Sequence, residues 1–127
     1  MATFIERAKS TCALGGAIVT LTSLPKTIPI VHASGGCSTM LSGTFSQASG
    51  YKGTGYCGGH MTPTSNIVEK NIVFGGEERL EEQIAHTIRV IDGDLYFVVT
   101  GCQVEIIGDD AVGIARRFKG GKEPVLA

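Results

Sequence analysis

Three cysteines carry the chemical potential of this chain. Cys12, Cys37 and Cys102 each fall in a segment that reads as a backbone turn with glycine close by: Cys12-Ala13-Leu14-Gly15-Gly16, His32-Ala33-Ser34-Gly35-Gly36-Cys37 and Thr100-Gly101-Cys102. Thiolates at strand ends, with glycines that let the backbone crowd around them, suit a buried iron–sulfur cluster. Free cysteine is also among the most buried residue types, so plain core thiols account for the same pattern. The 4 cysteines could pair as disulfides in three ways. No secretory signal accompanies them, however, and cytosolic thiols are normally held reduced. Their separations fit no paired CxxC zinc pattern. Ligands gathered from distant turns and buried thiols both stay open on spacing alone.

The elements that must position these residues belong to one domain at most. A length of 127 residues with 43% hydrophobic content supports a real core. The net charge of −1 gives no support to nucleic-acid or anionic-membrane binding, either of which wants a basic patch. The 18 glycines are about twice the usual share and are clustered, which points to tight turns. The apolar stretch Ala13–Leu24 is too short to span a bilayer and lacks the flanks of a signal peptide, so a cytoplasmic chain is expected.

Ala13–Leu24 reads as a helix ended by Leu24-Pro25. Ile28–His32 reads as a short β-branched strand, and Pro29 within it suggests an edge position or a strand start. From Ser38 to Gln47, Met40, Leu41 and Phe45 recur at helical spacing, with Ser34 or Ser38 available as N-cap. Cys37 then sits at a helix N-terminus, where the dipole and free amides favour a thiolate. Ala48–Pro63 reads as a long glycine-rich loop and Asn66–Phe74 as a linker with a short turn. Glu77–Ile91 is the clearest helix, with Leu80, Ile84, Ile88 and Ile91 in one apolar stripe and acids in its first turns. Leu95–Val99 is a continuous apolar run, the mark of a strand buried on both faces of a parallel sheet. A last helix from Asp109 or Asp110 to Phe118 precedes a strand beginning at Pro124.

This alternation predicts an α/β fold: a three-layer, Rossmann-like parallel sheet with helices on both faces. Residues 1–127 end on the first residues of a strand, so a truncated unit is expected. In open α/β sheets the chemistry collects beyond the carboxyl ends of the strands. Cys37 and Cys102 both fall at that edge.

The motifs at these positions resemble those of the nitrogenase component 1 family. Val31-His32-Ala33-Ser34-Gly35-Gly36-Cys37 resembles its strand–His–x–x–x–Gly–Cys turn. Glu69-Lys70-Asn71-Ile72-Val73-Phe74-Gly75-Gly76 is similar to its E-x-x-I-V-F-G-G segment, and Cys102 with Ile106-Ile107-Gly108-Asp109-Asp110 to its C-x-x-x-x-I-G-D-D motif. Cys12 stands in the place of the first ligand. The likeness runs from about Cys12 to Phe118 and covers the N-terminal domain of a subunit several times longer. The family includes molybdenum–iron protein subunits, their assembly scaffolds, and reductases of protochlorophyllide and of the F430 precursor.

The resemblance implies that Cys12, Cys37 and Cys102 ligate an iron–sulfur cluster, either [4Fe–4S] or the eight-iron P-cluster type, at an interface with a second, identical or related, family subunit. It implies that Gly36 lets the backbone approach that cluster and that His32 orients the turn or tunes the cluster by a hydrogen bond. It further implies an oxidoreductase that relays electrons from an ATP-dependent iron protein to a substrate or cofactor site. The alternative is a non-catalytic scaffold for metal-cofactor assembly, and the plainest reading is a cluster-free α/β interaction domain. A satisfied core histidine is the alternative for His32. Cys57 matches no motif and reads as an exposed incidental thiol, with a fourth ligand as the alternative. His60, beside Gly59 and Met61, is a candidate to line a substrate path; a surface position is expected for His86, and helix N-terminal roles for Asp109 and Asp110.

Overall fold

A computed structural model describes residues 11–49, 61–121 and 124–127. Its elements run α1 (Ala13–Thr22), β1 (Thr27–His32), α2 (Gly35–Ser49), α3 (Glu69–Phe74), α4 (Glu77–Val90), β2 (Leu95–Thr100), α5 (Cys102–Ile107), α6 (Ala111–Arg117) and β3 (Val125–Leu126). Among the described residues the strands form one sheet in the order β1-β2-β3, and both pairings are parallel. Thr27 pairs with Leu95 and His32 with Thr100, so β1 and β2 end at the same level.

The apolar run of β2 occupies the centre of the sheet, as its composition predicts. Alternation along the strands separates two cores. Ile28, Ile30, Tyr96 and Val98 face α4 and α6, meeting Leu80, Ile84, Ala111, Ile114 and Ala115. Val31, Ala33 and Val99 face α1, meeting Leu14, Ile18 and Leu21, with Leu41 and Cys37 of α2 packed alongside. Helices therefore cover both faces of a parallel sheet, in the three layers expected.

The position of Pro29 follows from hydrogen bonding. Val31 N–H donates to the carbonyl of Pro63 at 2.8 Å, on the side of β1 away from β2. Pro29 lies two residues earlier, so its missing N–H falls on that same outer side and costs the β1–β2 ladder nothing.

Several boundaries differ from the sequence reading. The first helix ends at Thr22, because Leu24-Pro25 and Lys26 turn the chain into β1, with Lys26 in the left-handed region at φ 52°. The second helix starts at Gly35 and continues to Ser49, past the predicted loop start; residues 50–60 of that loop lie outside the described residues. Ser38 does not cap this helix: its hydroxyl donates to Thr62 O at 2.7 Å. Asn66–Phe74 is not a linker. Ser65 N–H and Ile67 N–H donate to Val31 O and Ala33 O at 3.0 and 2.9 Å, and α3 follows. The short α5 is a further helix that apolar periodicity over 6 residues does not announce.

Candidate functional site

The three cysteines occupy equivalent structural positions. Cys12 is the residue before α1, Cys37 lies in the first turn of α2, and Cys102 is the first residue of α5. Helices α2 and α5 begin just after β1 and β2, which places Cys37 and Cys102 beyond the carboxyl ends of adjacent strands. The chain leaves α1 through the tight turn at residues 23–26 and enters β1 running back along it. The N-terminus of α1 consequently lies at the end of β1 that carries His32. Leu14, in the first turn of α1, packs with Val31, Ala33 and Val99 at that level. The topology thus brings all three cysteines to one edge of the sheet.

Cys12 and Cys102 are exposed and Cys37 is half-buried. The turns bearing Cys37 and Cys102 are in direct contact. Gly101 N–H donates to His32 O at 2.9 Å, and a Cβ at Gly101 would stand 2.6 Å from Ala33 Cβ. Glycine is required at 101 because the two turns approach too closely for a methyl group. Gln103 Nε2 donates to Ser34 Oγ at 3.2 Å, and Ser34 Oγ lies 3.6 Å from Cys37 Sγ. At Gly36, by contrast, a Cβ would meet no protein atom within 4 Å. Packing by the described residues leaves this backbone uncovered.

Among the described residues no three His, Cys, Asp or Glu side chains converge tightly enough to hold a single metal ion. That geometry does not oppose an iron–sulfur cluster, whose separate irons each take their own thiolate and so spread the ligands apart. Three reduced thiols at one edge, two of them exposed, fit such a group held partly from outside the chain.

His32 is turned away from the cysteines. Its ring is fully buried, with Nδ1 2.7 Å from Ser65 Oγ and Nε2 3.2 Å from Asp109 Oδ2. An ionised Asp109 can only accept, so Nε2 carries the hydrogen and Nδ1 accepts from the Ser65 hydroxyl. The Asp109 carboxylate also accepts from Gly76 N–H, at 3.1 and 3.0 Å to its two oxygens. Burial holds the His32 pKa below the ordinary histidine value, against the opposing pull of Asp109 and Glu77. A serine–histidine–aspartate line of this kind resembles a nucleophile relay, but Ser65 is only 1% exposed and no substrate can reach it. The network instead ties together the end of β1, the segment before α3, and the α3–α4 and α5–α6 junctions.

Asp110 is the helix-terminal acid expected, accepting from Gly113 N–H at 2.8 Å as N-cap of α6, whereas Asp109 has the different role just described. His86 is exposed on α4, as predicted. Cys57 and His60 lie outside the described residues. Ser65, Gln103 and the buried role of Asp109 were not announced by the sequence; the pointers were the motif around Asp109 itself and, for Gln103, the adjacent Cys102.

The fold is thus a parallel α/β unit with cysteines at helix starts beyond its strand ends. The model of the nitrogenase component 1 type oxidoreductases matches residues 12–127, and the chain belongs to that family. It is 35% identical over 109 residues to the nitrogenase iron-molybdenum cofactor biosynthesis protein NifE of Methanococcus maripaludis, covering 84% of this chain and 21% of that protein. It is 30% identical over 114 residues to the nitrogenase molybdenum-iron protein beta chain of the same organism, covering 86% of this chain and 22% of that one. The solved structure of nitrogenase Cp1 at pH 6.5 superposes with a TM-score of 0.62 at 25% identity, over 79% of this chain and 20% of that one. The chain spans about a fifth of the length of the relatives it matches. No helix among the described residues is long and apolar enough to cross a membrane.

Proposed function

We propose that this chain is the N-terminal, iron–sulfur-binding part of a nitrogenase-like subunit. Cys12, Cys37 and Cys102 would supply thiolates to a cluster completed by a second family subunit. The observation that carries the reading is the position of three cysteines at helix starts on one sheet edge, with the Gly36 backbone uncovered by the described residues beside Cys37. Three ligands leave a four-iron cluster one short, and the exposure of Cys12 and Cys102 leaves room for a partner to supply the rest. The bound cluster would supply reversible one-electron transfer. The protein's own contribution is to hold the thiolates in register: Gly101 and Ala33 pack the two turns together, and the buried His32 network fixes the end of β1 behind them.

In the oxidoreductase reading, Cys12, Cys37 and Cys102 would hold a group that supplies electron transfer between an ATP-dependent iron protein and a site in the rest of the subunit. The higher identity to the cofactor biosynthesis protein than to the molybdenum-iron protein beta chain favours a second reading, a scaffold for metal-cofactor assembly. Both require the cluster.

The test is anaerobic reconstitution with iron and sulfide, read by iron content and by absorbance near 400 nm. Replacing Cys37 or Cys102 with Ala should remove most bound iron, while Cys57→Ala should retain it. If Cys57→Ala empties the site and Cys12→Ala does not, the ligand assignment is wrong. Electron uptake from a nitrogenase iron protein with ATP separates the oxidoreductase from the scaffold.

A further inference from the structure

We infer that Gln103 is a positioning residue for the redox site: it aims the Ser34 hydroxyl at the sulfur of Cys37. The inference rests on the ligand reading of Cys37 and deepens it. A serine hydroxyl has one hydrogen to donate and lone pairs to accept with. Gln103 Nε2 donates to Ser34 Oγ at 3.2 Å, which occupies the acceptor side of the hydroxyl. Cys37 Sγ, 3.6 Å away, then receives the remaining hydrogen. As an iron ligand Cys37 is a thiolate with no hydrogen of its own, so only Ser34 can donate between them.

The direction is that of the Nε2–Ser34 Oγ contact, and Gln103 Oε1 is buried with no hydrogen-bond partner among the described residues. Gln103 follows Cys102 directly, and its contact spans from α5 to the turn that carries Cys37. One side chain therefore couples two of the three ligand-bearing turns. His32, which the motif offered as the tuning residue, has both ring nitrogens committed to Ser65 and Asp109.

A hydrogen bond to a ligating sulfur withdraws charge from it, stabilises the reduced and more negative cluster, and raises the reduction potential. Losing the donor should lower that potential without removing a ligand.

The test is a redox titration of the full chain after anaerobic loading, with iron content and thermal melting measured in parallel. Ser34→Ala should keep the iron of the unsubstituted protein. It should lower the reduced-to-oxidised ratio at the unsubstituted midpoint about tenfold, equal to about 59 mV for a one-electron couple. Gln103→Leu should shift the ratio the same way by a smaller factor, and should add nothing in the Ser34→Ala background. Gln103→Met, which keeps the length and loses the amide, serves if the leucine variant does not fold. A potential unmoved by either Gln103 variant at full iron content, or moved equally with and without Ser34, overturns the inference while leaving Cys37 a ligand. A lowered melting temperature with unchanged potential likewise reduces Gln103 to a brace. Iron retained in full by Cys37→Ala, or never bound by the unsubstituted protein, overturns the ligand reading and this inference with it.

Discussion

Removing the Asp109 carboxylate should destabilise the fold more than any surface acid could. The side chain is only 4% exposed and accepts from His32 Nε2–H and Gly76 N–H. Asp109→Ala strands both donors inside the protein. A buried donor left without its acceptor costs about 1–3 kcal/mol, so two cost about 2–6 kcal/mol. The small cavity adds to this, and water entering it would offset part, which places the expected loss near about 3 kcal/mol. Asp110→Ala is the internal comparison. It removes one exposed N-cap bond, to Gly113 N–H, and should cost about 1 kcal/mol. Urea unfolding followed by circular dichroism measures both, with the slope checked for constancy. In the His32→Phe background one of the two stranded donors is already gone, so Asp109→Ala should cost less there than in the unsubstituted protein. If Asp109→Ala loses no more than Asp110→Ala, the carboxylate is not the buried hub described and the argument fails.

Three further outcomes follow from the same structure. Because burial lowers the folded-state pKa of His32, the folded protein resists a proton that the unfolded chain accepts. Stability should be full above about pH 6.5, the ordinary histidine value, and fall as the pH drops from there to the depressed folded value; urea midpoints measured across that window should lose this slope in His32→Gln. Ile84→Ala, at a residue with no exposure in the core between α4 and the sheet, should cost about 2–4 kcal/mol in the same unfolding assay, and a near-neutral result would mean α4 is not docked as described. Gly101→Ala would press a methyl group against Ala33 Cβ and separate the two cysteine turns; a loss of about 1–3 kcal/mol together with lower iron retention is expected, and full retention would show that their contact does not hold the ligands.

The elements legible in the amino-acid order are those whose side chains repeat with a clear period or form an unbroken apolar run. The stripe of Leu80, Ile84 and Ile88 declared α4, and Leu-Tyr-Phe-Val-Val declared the central strand, because burial on one helix face or on both sheet faces selects residue type locally. The cysteine positions were legible for a related reason: a glycine-rich turn between a strand and a helix is a local event, and the family motifs lie within such turns. Six-residue helices such as α3 and α5 leave too short a record, and with Ile72, Val73, Phe74 and Ile106 exposed they bury little that would mark a face.

What only the tertiary structure decided concerns partners distant along the chain. Asp109 and Asp110 are chemically identical neighbours, and nothing local distinguishes the one that caps α6 from the one that reaches Gly76 and His32. Their roles are set by which oxygen meets which buried donor after the sheet has brought residues 32, 76 and 109 together. The parting of His32 from Cys37 is likewise a product of strand alternation, which sends odd positions of β1 towards α1 and even ones towards α4. Sequence alone determined that three cysteines stand at turns; folding determined that the turns share one edge, because parallel pairing in register aligns the ends of β1 and β2 and α1 runs back alongside them.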